Sequence, residues 1–240
     1  MRIDKLLANR GFGSRKEVKG LFKSGAVQID GVTVKDPSKH VKVETQTVTV
    51  HGEVVEYKEF IYLMLNKPQG VISATEDHLH NTVIGLLEME DAVYNPFPVG
   101  RLDKDTEGLL LLTNDGQLAH QLLSPKKHVP KTYFAFIDGE VTKEDVDAFR
   151  SGVTLDDGYE TMPAKLEIIS SGLRSEIQVT IEEGKFHQVK RMFEAVQKRV
   201  IYLKRIKMGP LPLDETLELG EYRELTEDEV HLLKNYNKIS

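Results

Sequence analysis

The chain has 240 residues, 40% apolar and 29% charged, with 18 Gly and 9 Pro, a globular composition that excludes collagen-like, coiled-coil and wholly disordered architectures. It has no cysteine, which removes disulfides, thiol nucleophiles and thiolate metal sites together and suits a reducing, cytoplasmic compartment. The net charge of −6 argues against bulk polyanion binding, but it is unevenly spread: ten basic residues face four acidic ones through Lys42, an excess of +6, so the remainder carries −12.

The first residues, MRIDKLLANRG, carry charges every few positions and lack the apolar run of a secretory leader. Ile3, Leu6 and Leu7 predict an amphipathic helix over 3–10, closed by Gly11 and Gly13. Ser14 and Glu17 form a capping-box signature, and Val18, Leu21 and Phe22 continue one apolar face, predicting a second helix over 14–24. AVQIDGVTV alternates around Asp30-Gly31, a hairpin signal, and 41–57 adds alternating strand with a turn at His51-Gly52. These elements predict one small unit over 1–59 and a larger one over 60–240.

The larger unit opens with FIYLMLNKP, a buried strand stopped by Pro68. Further strands are expected at 109–113, 131–137, 164–169, 175–182 and 200–207, and helices at 82–89, 117–123, 142–150, 187–197 and 226–235, the last with a capping box at Thr226 and Glu229. Without a regular strand–helix alternation, the pattern predicts an α+β fold on a largely antiparallel sheet. The longest apolar runs are far too short to span a membrane.

Three segments carry chemistry. In the head, Arg15, Lys16, Lys19 and Lys23 lie opposite the apolar face of the second helix; with Arg2 and Lys5 they form a cationic surface suited to phosphates. In GRLDKDTEGLLLLTNDG (100–116), charges crowd a loop directly before a very apolar strand, where desolvation tunes a carboxylate. The segment imitates half a calcium loop, but Asn114 stands where the bidentate Glu belongs. In 182–209, seven basic residues from Lys190 to Lys207 face one acid, Glu194: a second cationic patch, unless the protein's own acids pair with them. His78 and His80 lack a third metal ligand, and no nucleotide-binding motif occurs, so neither metal nor cofactor is expected.

On these residues the chain resembles a known family. RIDKLLANRGFGSRKEVKGLFKSGAVQIDGVTV is similar to the alpha-L RNA-binding domain of ribosomal proteins and RNA-modifying enzymes. GRLDKDTEGLLLLTNDG resembles the signature loop of RNA pseudouridine synthases, and YLMLNKPQGVISAT, KTYFAFIDG and EGKFHQVKRMF resemble the other motifs of the RsuA-type branch, in order. The HQVK form looks most like the enzyme acting on small-subunit ribosomal RNA. The resemblance implies a catalytic aspartate at Asp103, a base-stacking Tyr133, and Lys190 where many relatives place the arginine that pairs with the aspartate, with Arg101 and Arg191 as possible substitutes. It implies RNA contacts from the head and from His187, Gln188, Arg191 and Arg205, and no cofactor. The expected partner is ribosomal RNA, free or in a partly assembled subunit, met by a monomer. Three other readings stay open: a non-catalytic RNA-binding ribosome-assembly factor of the same fold, a synthase acting on large-subunit ribosomal RNA, and a glycosidase pairing Asp103 with Asp105 or Glu107.

Overall fold

The structure, a computed structural model, describes residues 1–43 and 45–236; Glu44, inside the segment read as strand over 41–57, and 237–240 lie outside the described residues. The chain forms two compact units, Met1–Ile61 with Leu87–Pro96, and Tyr62–Leu86 with Phe97–Ser240. The division therefore differs from a single cut at residue 59, because Leu87–Pro96 packs with the head: Arg10 hydrogen-bonds the Tyr94 hydroxyl and lies over its ring.

The first unit contains α1 (Ile3–Asn9), α2 (Lys19–Lys23) and α3 (Met89–Ala92), with β1 (Val27–Ile29), β2 (Val32–Thr33), β3 (Val48–Val50) and β4 (Glu53–Val54) in an antiparallel sheet of order β2-β1-β3-β4. Ile3, Leu6, Leu7, Val18, Phe22 and Val27 close its core, each burial worth about 1.5–3 kcal/mol. The Asp30-Gly31 turn has positive φ at both positions (51° and 78°), as a two-residue hairpin needs. The second helix is shorter than expected. Ser14 and Glu17 do form their reciprocal bonds, but residues 15–18 are turns and Gly20 and Leu21 donate to carbonyls three residues back. The helix expected over 82–89 is instead a 3₁₀ turn, Val83–Leu86, and α3, separated by an extended Glu88.

The second unit contains β5 (Tyr62–Lys67), β6 (Phe97–Pro98), β7 (Glu107–Thr113), α4 (Gly116–Leu123), β8 (Lys131–Asp138), α5 (Lys143–Ser151), β9 (Lys165–Ser170), β10 (Arg174–Ile181), α6 (Gln188–Ala195), β11 (Arg199–Met208), β12 (Leu211–Pro212), β13 (Tyr222–Glu224) and α7 (Glu227–Asn235). Its sheet runs β13-β5-β7-β11-β8-β10-β9, with β6 and β12 pairing at β7 and β11. All pairs are antiparallel except β7 with β11, so the α+β class and the mainly antiparallel sheet are as the sequence predicts. Every residue of β7 is buried, whereas β8 and β10 alternate. β13 gave no sequence signal: three residues, two of them charged, become a strand only because Tyr222 and Glu224 register with Leu65 and Leu63.

Candidate active site

The site begins at the parallel pair. β7 approaches β11 so closely that a Cβ on Gly108 would lie 2.2 Å from the Arg205 carbonyl oxygen, and Gly108 has φ +100°. This close approach sets the loop before β7, residues 101–106, against the start of the sheet. Lys67, fully buried at the end of β5, clamps that loop: its ammonium donates to the carbonyls of Asp103 (3.0 Å), Thr106 (2.9 Å) and Pro68 (3.0 Å). Burial pushes Lys67 down to about 8, against the charges of Asp103, Asp105 and Glu107. The Ser73 hydroxyl bonds both the N–H and the carbonyl of Leu102, and Gly70 N–H donates to Lys104.

The loop presents the Asp103 carboxylate, about a third exposed, to α6. Lys190 bridges Asp103 (3.2 Å) and Asp105 (2.6 Å), while His187 Nε2 stands 3.7 Å from the other Asp103 oxygen. Burial opposes the Lys190 charge, but the Asp105 hydrogen bond and the two carboxylates outweigh it and hold the ammonium above its ordinary value. Burial likewise raises Asp105, and the Lys190 bond and charge more than offset it, leaving that carboxyl low. The arrangement is a carboxylate kept beside a permanent cation, with one face toward a cleft of about 580 Å³.

Asp103, Arg101, Tyr133, His187, Lys190 and Arg205 all line this cleft. Tyr133 is buried in β8, in register with Arg205 on β11. Arg205 is buried rather than part of a surface patch; its Nε donates to the Leu109 carbonyl, and its Nη2 has no partner among the described residues. Beside it, burial and the Arg205 charge press Lys131 down to about 8, opposed by Glu182. Arg101 is exposed at the mouth. A second cavity, about 900 Å³, is lined by Thr132 and Phe134 and by none of these residues; strand alternation places it on the other face of the sheet.

These observations reassign several expected residues. Lys190, not Arg101 or Arg191, meets Asp103. Arg191 is held by Asp156 and Asp157, Lys198 by Asp145 and Arg199 by Asp138, so the second cationic patch is largely neutralised by acids distant in sequence. Gln188 is buried, donating to Glu183 and accepting from Lys185 N–H; it shapes the 183–188 loop and offers no free group to RNA. Arg2 is chelated by Asp4, while Lys5, Arg15, Lys16, Lys19 and Lys23 are exposed. The glycosidase pairs fail on geometry: Glu107 is buried and accepts from the Tyr202 hydroxyl, and Asp105 is tied to Lys190, so neither is a free partner for Asp103. Sequence reasoning missed Lys67, whose signal was a lysine closing a buried strand, and Lys131.

Two family models match. An S4 domain covers residues 1–46, and an RNA pseudouridylate synthase domain covers 61–195, more than half of the chain. The chain belongs to the RNA pseudouridine synthases. An uncharacterized RNA pseudouridine synthase of Bacillus subtilis, YtzG, is 60% identical over 97% of this chain and 98% of its own. A ribosomal small subunit pseudouridine synthase A of Vibrio cholerae is 43% identical over 96% and 98%, and a ribosomal large subunit pseudouridine synthase B of Bacillus subtilis 40% identical over 97% and 95%. A crystal structure of a pseudouridylate synthase superposes with a TM-score of 0.69 at 37% identity, covering 97% of this chain and 99% of that one. The synthase is thus an RNA-modifying enzyme with an N-terminal RNA-binding domain. Among its described residues no cluster of three or more His, Asp or Glu has the geometry to hold a metal, and no helix is long and apolar enough to cross a membrane.

Proposed function

We propose that this synthase isomerises a specific uridine of small-subunit (16S) ribosomal RNA, free or in a partly assembled subunit, with Asp103 as the catalytic carboxylate. The observation that carries this reading is the Lys190 bridge, which sets a cation 3.2 Å from the Asp103 carboxylate on the rim of a cleft that Tyr133 lines. The reaction breaks C1′–N1, turns the uracil and joins C1′ to C5; the C5 proton leaves and N1 gains one, so nothing is oxidised and no cofactor is required. Attack of the carboxylate at C1′ and proton removal at C2′ both need the ionised form, and Lys190 supplies a countercharge 3.2 Å away. Tyr133 offers its ring to the uracil, and its hydroxyl relays the proton leaving C5, taking it on oxygen as it gives up its own. Arg205 Nη2, a buried donor without a partner among the described residues, suits an oxygen of the uracil once that base has entered the cleft. The target must leave its stack to enter.

The exposed cations of the head hold RNA by phosphate neutralisation, and the enzyme works as a cytoplasmic monomer. The small-subunit target is supported by the HQVK form at 187–190 and by the Vibrio cholerae relative; the large-subunit relative makes 23S RNA the competing target. The test is tritium release from C5-labelled 16S and 23S transcripts by wild type and Asp103→Asn. Release from 16S alone, lost in the variant while filter binding survives, is the expected result. Release from 23S alone would move the target, and equal release by the variant would remove Asp103 from the chemistry.

A further inference from the structure

At the lip of the same cleft, the loop leading into α6 presents an aromatic surface that the chemistry above does not use. Phe186 is 71% exposed, although a large apolar ring gains by burial. One of its faces lies on the His187 imidazole, with ring centres 3.7 Å apart and planes within 19° of parallel, so the pair forms a short stack. His187 in turn reaches Asp103, which places the stack beside the reacting centre. The surrounding loop is held rigid. Glu183 accepts from Tyr159 hydroxyl, Met162 N–H and Gln188, and the Lys185 ammonium lies over the Tyr159 ring at 4.3 Å. His187 itself has φ +49°, a conformation that L side chains rarely adopt, which turns the stack outward.

We infer that the Phe186–His187 stack is a platform for the nucleobase next to the target uridine, capping the gap left in the RNA strand when that uridine turns into the cleft. The inference rests on the cleft of Asp103 being the uridine site. The chemistry fits an unpaired base: flat aromatic side chains receive bases of any identity, and the neighbouring Lys185 and Arg101 supply charge for the adjoining phosphates. A platform of this kind strengthens binding of the opened strand and adds little to the bond-breaking step, so its loss belongs in KM and in RNA affinity.

The experiment compares wild type with Phe186→Ala, Phe186→Leu and Phe186→Trp, all at an exposed position where folding is not at stake. Single-turnover tritium release is measured on the 16S transcript. It is then repeated on a synthetic RNA hairpin spanning the mapped uridine, intact or with an abasic nucleotide on either side of it. Alanine and leucine should raise KM roughly 5- to 150-fold, the span of one base–aromatic stack, with kcat changed less than about twofold, and tryptophan should restore it. One of the two abasic hairpins should impose the same penalty on wild type and no further penalty on Phe186→Ala. Unchanged KM in Phe186→Ala, equal loss with tryptophan, or penalties that simply multiply would overturn the platform while leaving the uridine site intact. Absence of release by wild type on every RNA would instead overturn the uridine site, and the platform with it.

Discussion

Replacing Lys67 by Met tests how the catalytic loop is held. The substitution is nearly isosteric but removes three charged donations, to Pro68, Asp103 and Thr106. Carbonyls left dry cost about 1–3 kcal/mol each, or roughly 3–9 kcal/mol in all. Against this, the variant no longer buries an ammonium. The fall of Lys67 from its ordinary 10.5 to about 8 puts that relief near 3 kcal/mol at about 1.36 kcal/mol per pH unit. The net loss is therefore a few kcal/mol, a fall in Tm on the order of 10 °C for a chain of this size. The larger effect falls on activity, because Asp103 is one of the residues whose backbone is released. The pH dependence separates the two. Below pH 8 the folded ammonium is charged and makes all three bonds; as pH rises through 8 it loses its proton and kcat falls. An unfolded lysine stays charged to about 10.5, so between 8 and 10.5 the unfolded chain holds more protons and this group's contribution to stability rises while activity declines. Tritium release across pH 6.5–9.5 and thermal melts measure both. A Lys67→Met enzyme with wild-type kcat and the same alkaline limb would refute the clamp.

Lys190→Met should lower kcat about 100-fold or more by leaving Asp103 without its cation, Lys190→Arg should retain most activity, and Asp105→Asn, which releases Lys190 to Asp103 alone, should change kcat less than about threefold; single-turnover release distinguishes them. Gly108→Ala should destabilise by roughly 3–5 kcal/mol, since its Cβ meets the Arg205 backbone at positive φ, whereas Gly31→Ala, with nothing within 4 Å, should cost only about 1 kcal/mol of backbone strain; urea melts give both. RNA affinity should fall with salt with a log–log slope of roughly −3.5 to −4.5 if the five exposed head cations each neutralise a phosphate. Arg191→Ala should leave that slope unchanged, because Asp156 and Asp157 already hold its charge.

Periodicity and turn chemistry are local properties, and the elements they govern were legible. The Asp30-Gly31 hairpin, the alternation of β8 and β10 and the Thr226–Glu229 cap all depend on residues within a few positions of one another. Local rules failed where a neighbour distant in sequence decides, as in β13, or where one segment crosses between units, as in the expected helix at 82–89. The same distinction governs the site. Asp103, Tyr133 and Lys190 stood out from motif resemblance, but residue spacing alone could not say which cation meets Asp103, nor that Asp105 shares it.

The sequence by itself determined the composition class, the basic head, most of the elements and the carboxylate-bearing loop before an apolar strand. Only the tertiary structure decided how the charges are used. It brought Asp138, Asp145, Asp156 and Asp157 onto the second basic run, buried Arg205 and Lys67, and left Phe186 exposed. Charge interactions act through space within a few ångströms, and a chain read residue by residue carries no record of which distant segments will come that close.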